Sequence, residues 1–491
     1  MARFNLKAMF NKPQTTVNRA GGEAYVQSPE MALASLLLTS FVQDQFYRSA
    51  AEQMKELEAL MARVQPEFSA KAAIYARTEF GMRSITHVLA AHLAAQASGQ
   101  IWAKQFYNRV VFRPDDMLEI AALTKANGAK MLPNAMKKGF SEAFNRFDGY
   151  QLAKYRGEGR SFKLVDLVNL VHPVPNERNA EALRQLVADA LRNTATWEAQ
   201  LTAAGKQAAD EAEKMELKSA AWAELIQSNK LGYLAMLRNL RNIGEQAPAY
   251  ATEVAKRLKN ERQIRKALVM PFQYMIALDA LNVGAAFPAK RVLQDALTDA
   301  LEISLANVPR FEGRTLIVVD DSGSMSARVG AKGFASRSCI QLGSVFAAAL
   351  FKSNDADLMR FSDEAAYVRA NSRDSLMTIA ENIVRNARSA GTNFHAIFKV
   401  ARERYDRVVI LSDMQGWMGN VAPTKEFEAY KRRTGANPFV YSFDLAGYGS
   451  LQLPEDKVFC VAGFSEKVFD LMKLLETDRR ALVSAIEAVQ L

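Results

Sequence analysis

Two hydrophobic periods divide this chain. From residue 29 to residue 281 apolar positions recur every three or four residues, as on one face of a helix, whereas beyond residue 311 short apolar runs of strand length alternate with such stretches. Helical spacing covers residues 29–61, 70–80, 84–97, 115–126, 134–147, 181–191, 220–240, 249–258 and 261–281, and none of these segments reads as strand. The connections Val64-Gln65-Pro66, Phe112-Arg113-Pro114 and Val171-His172-Pro173-Val174-Pro175 are brief and marked by proline, which suits antiparallel neighbours stacked in pairs. The pattern predicts an all-α module, either an α-solenoid or an ordinary helical bundle. Residues 198–216, rich in Ala, Lys and Glu, read as a solvated helix or a loop insertion.

The second part predicts a doubly wound α/β domain. Its strands fall at 315–319, 357–361, 407–411, 439–443 and 458–461, with helices around 340–351, 376–387, 425–433 and 467–475. The chain is thus expected to divide into a helical module over 1–310 and an α/β domain over 311–491. About 180 residues suffice for a full core in the latter.

Composition narrows the function classes. The 491 residues are 49% apolar, yet no run approaches the roughly 20 apolar residues of a membrane span, and residues 1–13 lack a signal-peptide core. A cytoplasmic location is expected. Cys339 leads a helix and Cys460 lies in a strand, so both read as reduced packing residues. Charge is unevenly divided: residues 1–310 hold 40 Lys+Arg against 31 Asp+Glu, and the remainder 23 against 22. Residues 104–163 carry 12 basic residues against 6 acids, among them Lys125, Lys130, Lys137, Lys138, Arg146, Lys154, Arg156, Arg160 and Lys163. Between them stand Phe140, Phe144, Phe147, Tyr150, Tyr155 and Phe162. Cations for phosphates and rings for unstacked bases are what looped or single-stranded RNA requires, although helically spaced rings also build cores. His172 precedes a proline and is expected in an extended loop, free to stack or hydrogen-bond. His87 and His92, five apart on one helix, do not align as two ligands and read as packing or surface residues.

The α/β domain carries a different chemistry. Val318-Val319-Asp320-Asp321-Ser322-Gly323-Ser324-Met325 puts Asp-x-Ser-x-Ser at the end of a strand, where alternate side chains converge outside the carboxyl edge of a parallel sheet. Ser389-Ala390-Gly391-Thr392-Asn393 then opens a helix, and Val408-Val409-Ile410-Leu411-Ser412-Asp413 ends a strand on a carboxylate. In this order the three segments resemble the metal-ion-dependent adhesion site of von Willebrand factor A domains. The resemblance implies that Asp320, Ser322, Ser324, Thr392 and Asp413 hold a divalent ion, Mg²⁺ by the hardness of its oxygen ligands. Asp321 is expected to turn away by strand alternation, while still standing near enough to strengthen cation binding. An aspartyl-phosphate enzyme would need a carboxylate at Ser322, and a two-metal nuclease would need more carboxylates than Asp320 and Asp413. No nucleophile and base pair up, so no enzyme is expected.

Four further segments resemble the Ro autoantigen (TROVE) family. They are Leu152-Ala153-Lys154-Tyr155-Arg156 with Asp166-Leu167-Val168-Asn169-Leu170-Val171-His172-Pro173, then Leu237-Arg238-Asn239-Leu240, then Met270-Pro271-Phe272-Gln273-Tyr274, and Asp444-Leu445-Ala446-Gly447-Tyr448-Gly449. The family implies a ring of HEAT-like helical repeats closed by a von Willebrand A domain, and a monomeric ring is expected. It implies a Y-like noncoding RNA on a basic outer surface, misfolded RNA with single-stranded 3′ ends in a central hole, and an exoribonuclease such as polynucleotide phosphorylase as a partner. The function implied is RNA quality control, maturation or degradation in a ribonucleoprotein, with no DNA or membrane partner. Lys154, Arg156 or Arg160, and His172 correspond to the family's RNA-contacting residues, with Lys137 and Lys138 on the same basic face. The competing reading is a metal-dependent protein-interaction adaptor that uses the A domain without RNA.

Overall fold

In this computed structural model the described residues are 15–17, 23–25, 28–39, 50–160, 162–192, 197–207, 209–228, 231–267, 269–283, 286–329, 337–414, 416, 423–445, 458–461, 472, 476 and 481–491. The chain forms two compact units. One comprises Met1–Leu60, Met270–Phe272 and Leu305–Val483, and the other comprises Met61–Val269, Gln273–Ser304 and Ser484–Leu491. The change of unit between Ser304 and Leu305 falls close to the division expected at residue 310.

In the first unit a short antiparallel hairpin, β1 (Thr15–Val17) and β2 (Glu23–Tyr25), precedes the helix Pro29–Thr39. The central sheet is built from β3 (Thr315–Asp320), β6 (Ala356–Phe361), β7 (Ala365–Tyr367), β8 (Arg407–Ser412), β9 (Phe439–Asp444) and β10 (Val458–Val461). A two-residue ribbon, β4 (Arg328–Val329) with β5 (Arg337–Ser338), leads into the helix Cys339–Ser353. The order across the sheet is β10-β9-β8-β3-β6-β7, parallel except for the edge strand β7. β3 and β8 are buried at every position, as their unbroken apolar runs require when helices cover both faces. Leu316, Val318, Val408 and Ile410 share a core with Phe398, Phe427 and Tyr430. The helix Cys339–Ser353 covers the opposite face, with Phe346 against Phe443 at 5.3 Å between ring centres. Five of the strands expected from sequence are present. The edge strand β7 was not read, being too short to show alternation, and the helix expected over 467–475 lies outside the described residues except for Met472.

The second unit is helical throughout its described residues. Helices Pro66–Glu79, Ser84–Gln96, Ala103–Arg109, Pro114–Ala126 and Asn134–Ala143 pack on near neighbours in sequence, and the pairing continues through Leu164–Val171, Ala180–Val187 and beyond. Two expected helices are each broken in two. Residues 220–240 divide into Glu211–Gln227 and Tyr233–Arg238 around Gly232, whose backbone is extended, and residues 261–281 divide into Glu261–Ala267 and Pro271–Asn282, where Pro271 cannot continue a preceding helix. Residues 198–216 contribute to a helical hairpin, Trp197–Gln207 on Glu211–Gln227.

A buried carboxylate ties the first of these helices together. Asp116, in the first turn of Pro114–Ala126, accepts hydrogen bonds from Arg77 (2.8 Å), Arg83 (2.9 Å), the amides of Phe112 (2.9 Å) and Arg113 (3.0 Å), and lies 3.1 Å from His87 Nε2. Burial alone would raise its pKa, but His87 and Arg77 outweigh that and hold the carboxyl far below the usual range. His87 is therefore a packing residue with a defined partner. Stability from Asp116 is present above the unfolded carboxylate value near ~4 and is lost as pH falls toward its folded value. Replacing Asp116 with Ala strands the largely buried Arg77, leaves Arg83 only Asp115, and is expected to cost about 3–5 kcal/mol, read as a lowered denaturant midpoint at neutral pH.

Candidate functional site

The doubly wound order reverses beside β3, so the loops leaving β3 and β8 diverge at their carboxyl ends and leave a crevice there. Asp320 closes β3, and Asp413 follows the last residue of β8. Asp320 Oδ1 accepts the Ser322 amide at 2.9 Å, and its Oδ2 accepts Ser412 Oγ at 2.5 Å. Ser322 Oγ and Ser324 Oγ are 3.3 Å apart. The loop bearing Thr392 joins this one through Gly323 N to the Ala390 carbonyl at 2.9 Å. Asp320, Ser322, Ser324, Thr392 and Asp413 are all buried. The five residues singled out in the sequence thus lie on three loops at one edge of the sheet.

Buried carboxylates crowd this edge. Burial first, and the charge of Asp413 second, push Asp320 up to about 8. Cys339, at the start of its helix, is buried and unbridged; desolvation and then Asp413, Asp444 and Asp320 hold its thiol well above the usual range, so it stays protonated. Asp321 is treated in the opposite way. It faces away from Asp320, and its Oδ2 meets Arg360 at 3.1 Å and the Arg388 amide at 3.1 Å. The expected outward turn is present, but a carboxylate bonded to Arg360 adds little field for a cation, which corrects the expectation that it reinforces the site.

Ser412, Asp444 and Arg360 were not singled out from sequence. One signal for Asp444 was readable, since Phe439–Asp444 is a third apolar strand ending on Asp, like β3 and β8. Nothing local in the sequence marks Arg360, whose role depends on register: Val319 pairs with Arg360, which brings its side chain diagonally to Asp321.

The basic candidates separate into two groups on the helical unit. Asp148 caps the helix Gly149–Lys154, accepting Gln151 N at 2.8 Å, and the chain then turns through Gly157 and Gly159, both at φ 80°. A Cβ on Gly157 would come within 2.9 Å of Leu118, so only glycine fits there. The turn shapes a cleft of about 240 Å³ lined by Asp115, Lys154, Tyr155, Arg156, Glu158 and Arg160. Arg113 lies over the Tyr155 ring at 4.5 Å. Arg156 is drawn inward: its guanidinium bonds the Leu191 carbonyl and pairs with Glu158 and Asp189, and the side chain is 14% exposed. Arg160 is 43% exposed and pairs with Glu119 at 2.7 Å.

His172 stands at the far end of the helix Leu164–Val171, exposed, with Ser141 Oγ 3.5 Å from its carbonyl and so beside the helix that bears Lys137 and Lys138. Its backbone is left-handed at φ 47° and ψ 64°, not extended. Ending the helix explains the difference, because a left-handed cap lets the His172 amide bond Val168 at 2.9 Å while the chain turns into Pro173. Of the six rings counted among the cations, Phe140, Phe144 and Phe147 are core, whereas Tyr150 is exposed and Phe162 lies under Lys125 at 4.7 Å. Arg146 is also committed inward, to Asn108 and the Val111 carbonyl.

With both groups placed, comparison with known proteins is decisive. The chain matches the TROVE domain over residues 24–221 and 191–290, and the Ro60 vWA domain over 314–475. The chain belongs to the Ro (TROVE) family. Within it, the chain is 24% identical over 490 residues to the RNA-binding protein RO60 of Deinococcus radiodurans, covering 87% of this chain and 90% of that protein. It is 23% identical over 361 residues to telomerase protein component 1 of Mus musculus and of Rattus norvegicus, a match covering 55% of this chain but only 13% of each of those proteins. The crystal structure of the Deinococcus radiodurans RO (RSR) protein shares the fold, with a TM-score of 0.63 and 18% identity over 93% of this chain and all of that one. No helix among the described residues is long and apolar enough to cross a membrane.

One consequence for this Ro-family chain concerns the paired carboxylates. Because the folded-state pKa of Asp320 is raised, its contribution to stability without a bound cation is present below about pH 4 and is lost as pH rises toward about 8. In chelator, Asp320→Asn is expected to raise the melting temperature at pH 8 and to flatten the fall in stability between pH 4 and 8. Equal melting curves for the two proteins at pH 8 would show that Asp320 and Asp413 do not repel.

Proposed function

We propose that this protein binds structured RNA through its helical unit and a divalent cation through the carboxyl edge of its sheet. The observation that carries the RNA reading is the placement of Lys154, Tyr155 and Arg160 at one end of the helix Leu164–Val171, with His172 exposed at the other. Eight residues of helix span about 12 Å, a separation that lets two cationic groups meet phosphates a few nucleotides apart while a ring lies between. The relative in Deinococcus radiodurans is named as an RNA-binding protein, which supports the same reading.

Lys154 and Arg160 contact phosphate, Tyr155 and His172 offer ring faces, and Lys137 and Lys138 extend the basic face. Arg156 shapes the turn from within, because its guanidinium is already spent on Leu191, Glu158 and Asp189. The RNA is a Y-like noncoding RNA on the outer face, and misfolded RNAs with single-stranded 3′ ends are presented to an exoribonuclease in quality control. Binding, not catalysis, is the activity. In the α/β unit the donor set of two carboxylates and three hydroxyls fits a hard cation such as Mg²⁺, and Asp320, Ser322, Ser324, Thr392 and Asp413 are the residues to hold it. When bound, the ion supplies positive charge between two buried carboxylates that raise each other's cost of ionisation.

RNA affinity measured from about 50 to 200 mM salt should fall steeply, and Arg160→Ala should reduce the slope of log affinity against log salt by about one. Arg156→Ala should instead lower thermal stability. If the purified protein retains no structured RNA at about 50 mM salt, RNA binding is excluded. Sequencing of RNA crosslinked in cells then identifies the ligand, with crosslinks expected within residues 137–172.

A further inference from the structure

The Asp-x-Ser-x-Ser pattern leaves residue 321 unassigned, and here it is a buried aspartate with four protein contacts. Its amide donates to the Phe361 carbonyl at 2.8 Å, extending the β3 to β6 ladder by one bond. Its carbonyl accepts the Ser389 amide at 2.9 Å, and its carboxylate accepts the Arg388 amide at 3.1 Å. Arg360, on the neighbouring strand, fixes that carboxylate at 3.1 Å. Two residues on, Gly323 donates to Ala390 at 2.9 Å. The segment 388–390 is therefore zipped to the first site loop by three bonds, two of them made by Asp321.

This zipper matters because of what comes next in the chain. Ser389 is held at φ 54°, a left-handed value costly for serine, which persists only where its surroundings enforce it. Beyond it, Asn393 is pinned from the other side, its amide to the Ser362 carbonyl at 2.8 Å and its side chain to the Asp363 carbonyl at 3.1 Å. Thr392 lies between the two clamps, on a loop with no regular secondary structure of its own.

We propose that Asp321 is a positioning residue for the cation site: with Arg360 it sets the 388–392 loop so that the Thr392 hydroxyl is delivered to the Asp320 side of the crevice. This rests on the cation reading above. Asp321 does not touch the ion; it acts through Thr392. The Arg360 partner gives the arrangement a second effect, since it neutralises Asp321 and leaves the charge of the crevice to Asp320 and Asp413.

Mn²⁺ titration of the full chain, followed by the paramagnetic resonance of free Mn²⁺, tests this directly. Asp321→Ala is expected to weaken Mn²⁺ binding about 10–100-fold, the range found when groups that orient metal ligands are removed. Asp321→Asn, which keeps an oxygen for the Arg388 amide, is expected to recover most of it and also serves should the Ala variant not fold. Thr392→Val should weaken binding as well, and adding Asp321→Ala to it should cost nothing further. Wild-type affinity in both Asp321 variants, or a full additional loss on the Thr392→Val background, would overturn the positioning role while leaving the cation reading intact. If the unmutated protein binds no Mn²⁺, or Asp320→Ala binds it unchanged, the cation reading falls first and the positioning role with it.

Discussion

Six aspartates are buried among the described residues, Asp115, Asp116, Asp320, Asp321, Asp413 and Asp444, and the fold treats Asp320 differently from Asp116 and Asp321. Asp116 receives Arg77, Arg83 and His87, and Asp321 receives Arg360, so each charge is matched where it is desolvated. Asp320 receives a serine hydroxyl and an amide, and faces a second carboxylate, Asp413. Dipoles of that kind soften a buried charge but do not cancel it, and two like charges at low dielectric each make the other harder to ionise. The arrangement at the carboxyl edge of the sheet follows from this unmet demand. Asp320 accepts from the Ser322 amide and the Ser412 hydroxyl, the nearby thiol of Cys339 is kept protonated, and Arg360 serves Asp321 on the opposite side of the strand.

The two units divide the chemistry by charge. The sheet unit gathers buried carboxylates at one edge. The helical unit carries the excess of Lys and Arg, but much of that excess is structural: Arg77, Arg83, Arg146 and Arg156 are spent on buried carboxylates and helix-end carbonyls. Accessible cations among the described residues of 104–163 include Lys125, Lys130, Lys138, Arg160 and Lys163, with His172 exposed beyond them. A composition count over residues 104–163 overstates the RNA face by including cations that hold the helices together.

Much of the fold could be read along the chain because its signals are local. β3 and β8 are apolar at nearly every position and so announce parallel strands covered on both faces, and Pro66 and Pro114 each mark the first residue of a helix. The cation-site candidates were legible for a related reason: residues at strand ends and loop starts point where the strand leaves them. What escaped was set by register and by tertiary choice. Arg360 meets Asp321 only because β6 pairs beside β3 in one alignment, and Ser412 reaches Asp320 from the adjacent strand β8. Whether a helically spaced ring is core or surface also depends on the partner helix, so Phe140 and Phe144 could not be told from Tyr150 by spacing alone. His172 shows a local rule yielding to another, with helix termination prevailing over the extended bias of a residue before proline.

Whether the carboxyl edge bearing Asp320 and Asp413 holds a divalent cation is tested most directly by crystals grown with Mn²⁺, through the anomalous signal of the ion. The expected result is one strong peak at the carboxyl edge of the sheet, within about 2.0–2.3 Å of oxygens from Asp320, Ser322, Ser324, Thr392 or Asp413, or joined to them through water. A fully ordered edge with no anomalous peak, or a lysine or arginine side chain found between the two carboxylates, would contradict it.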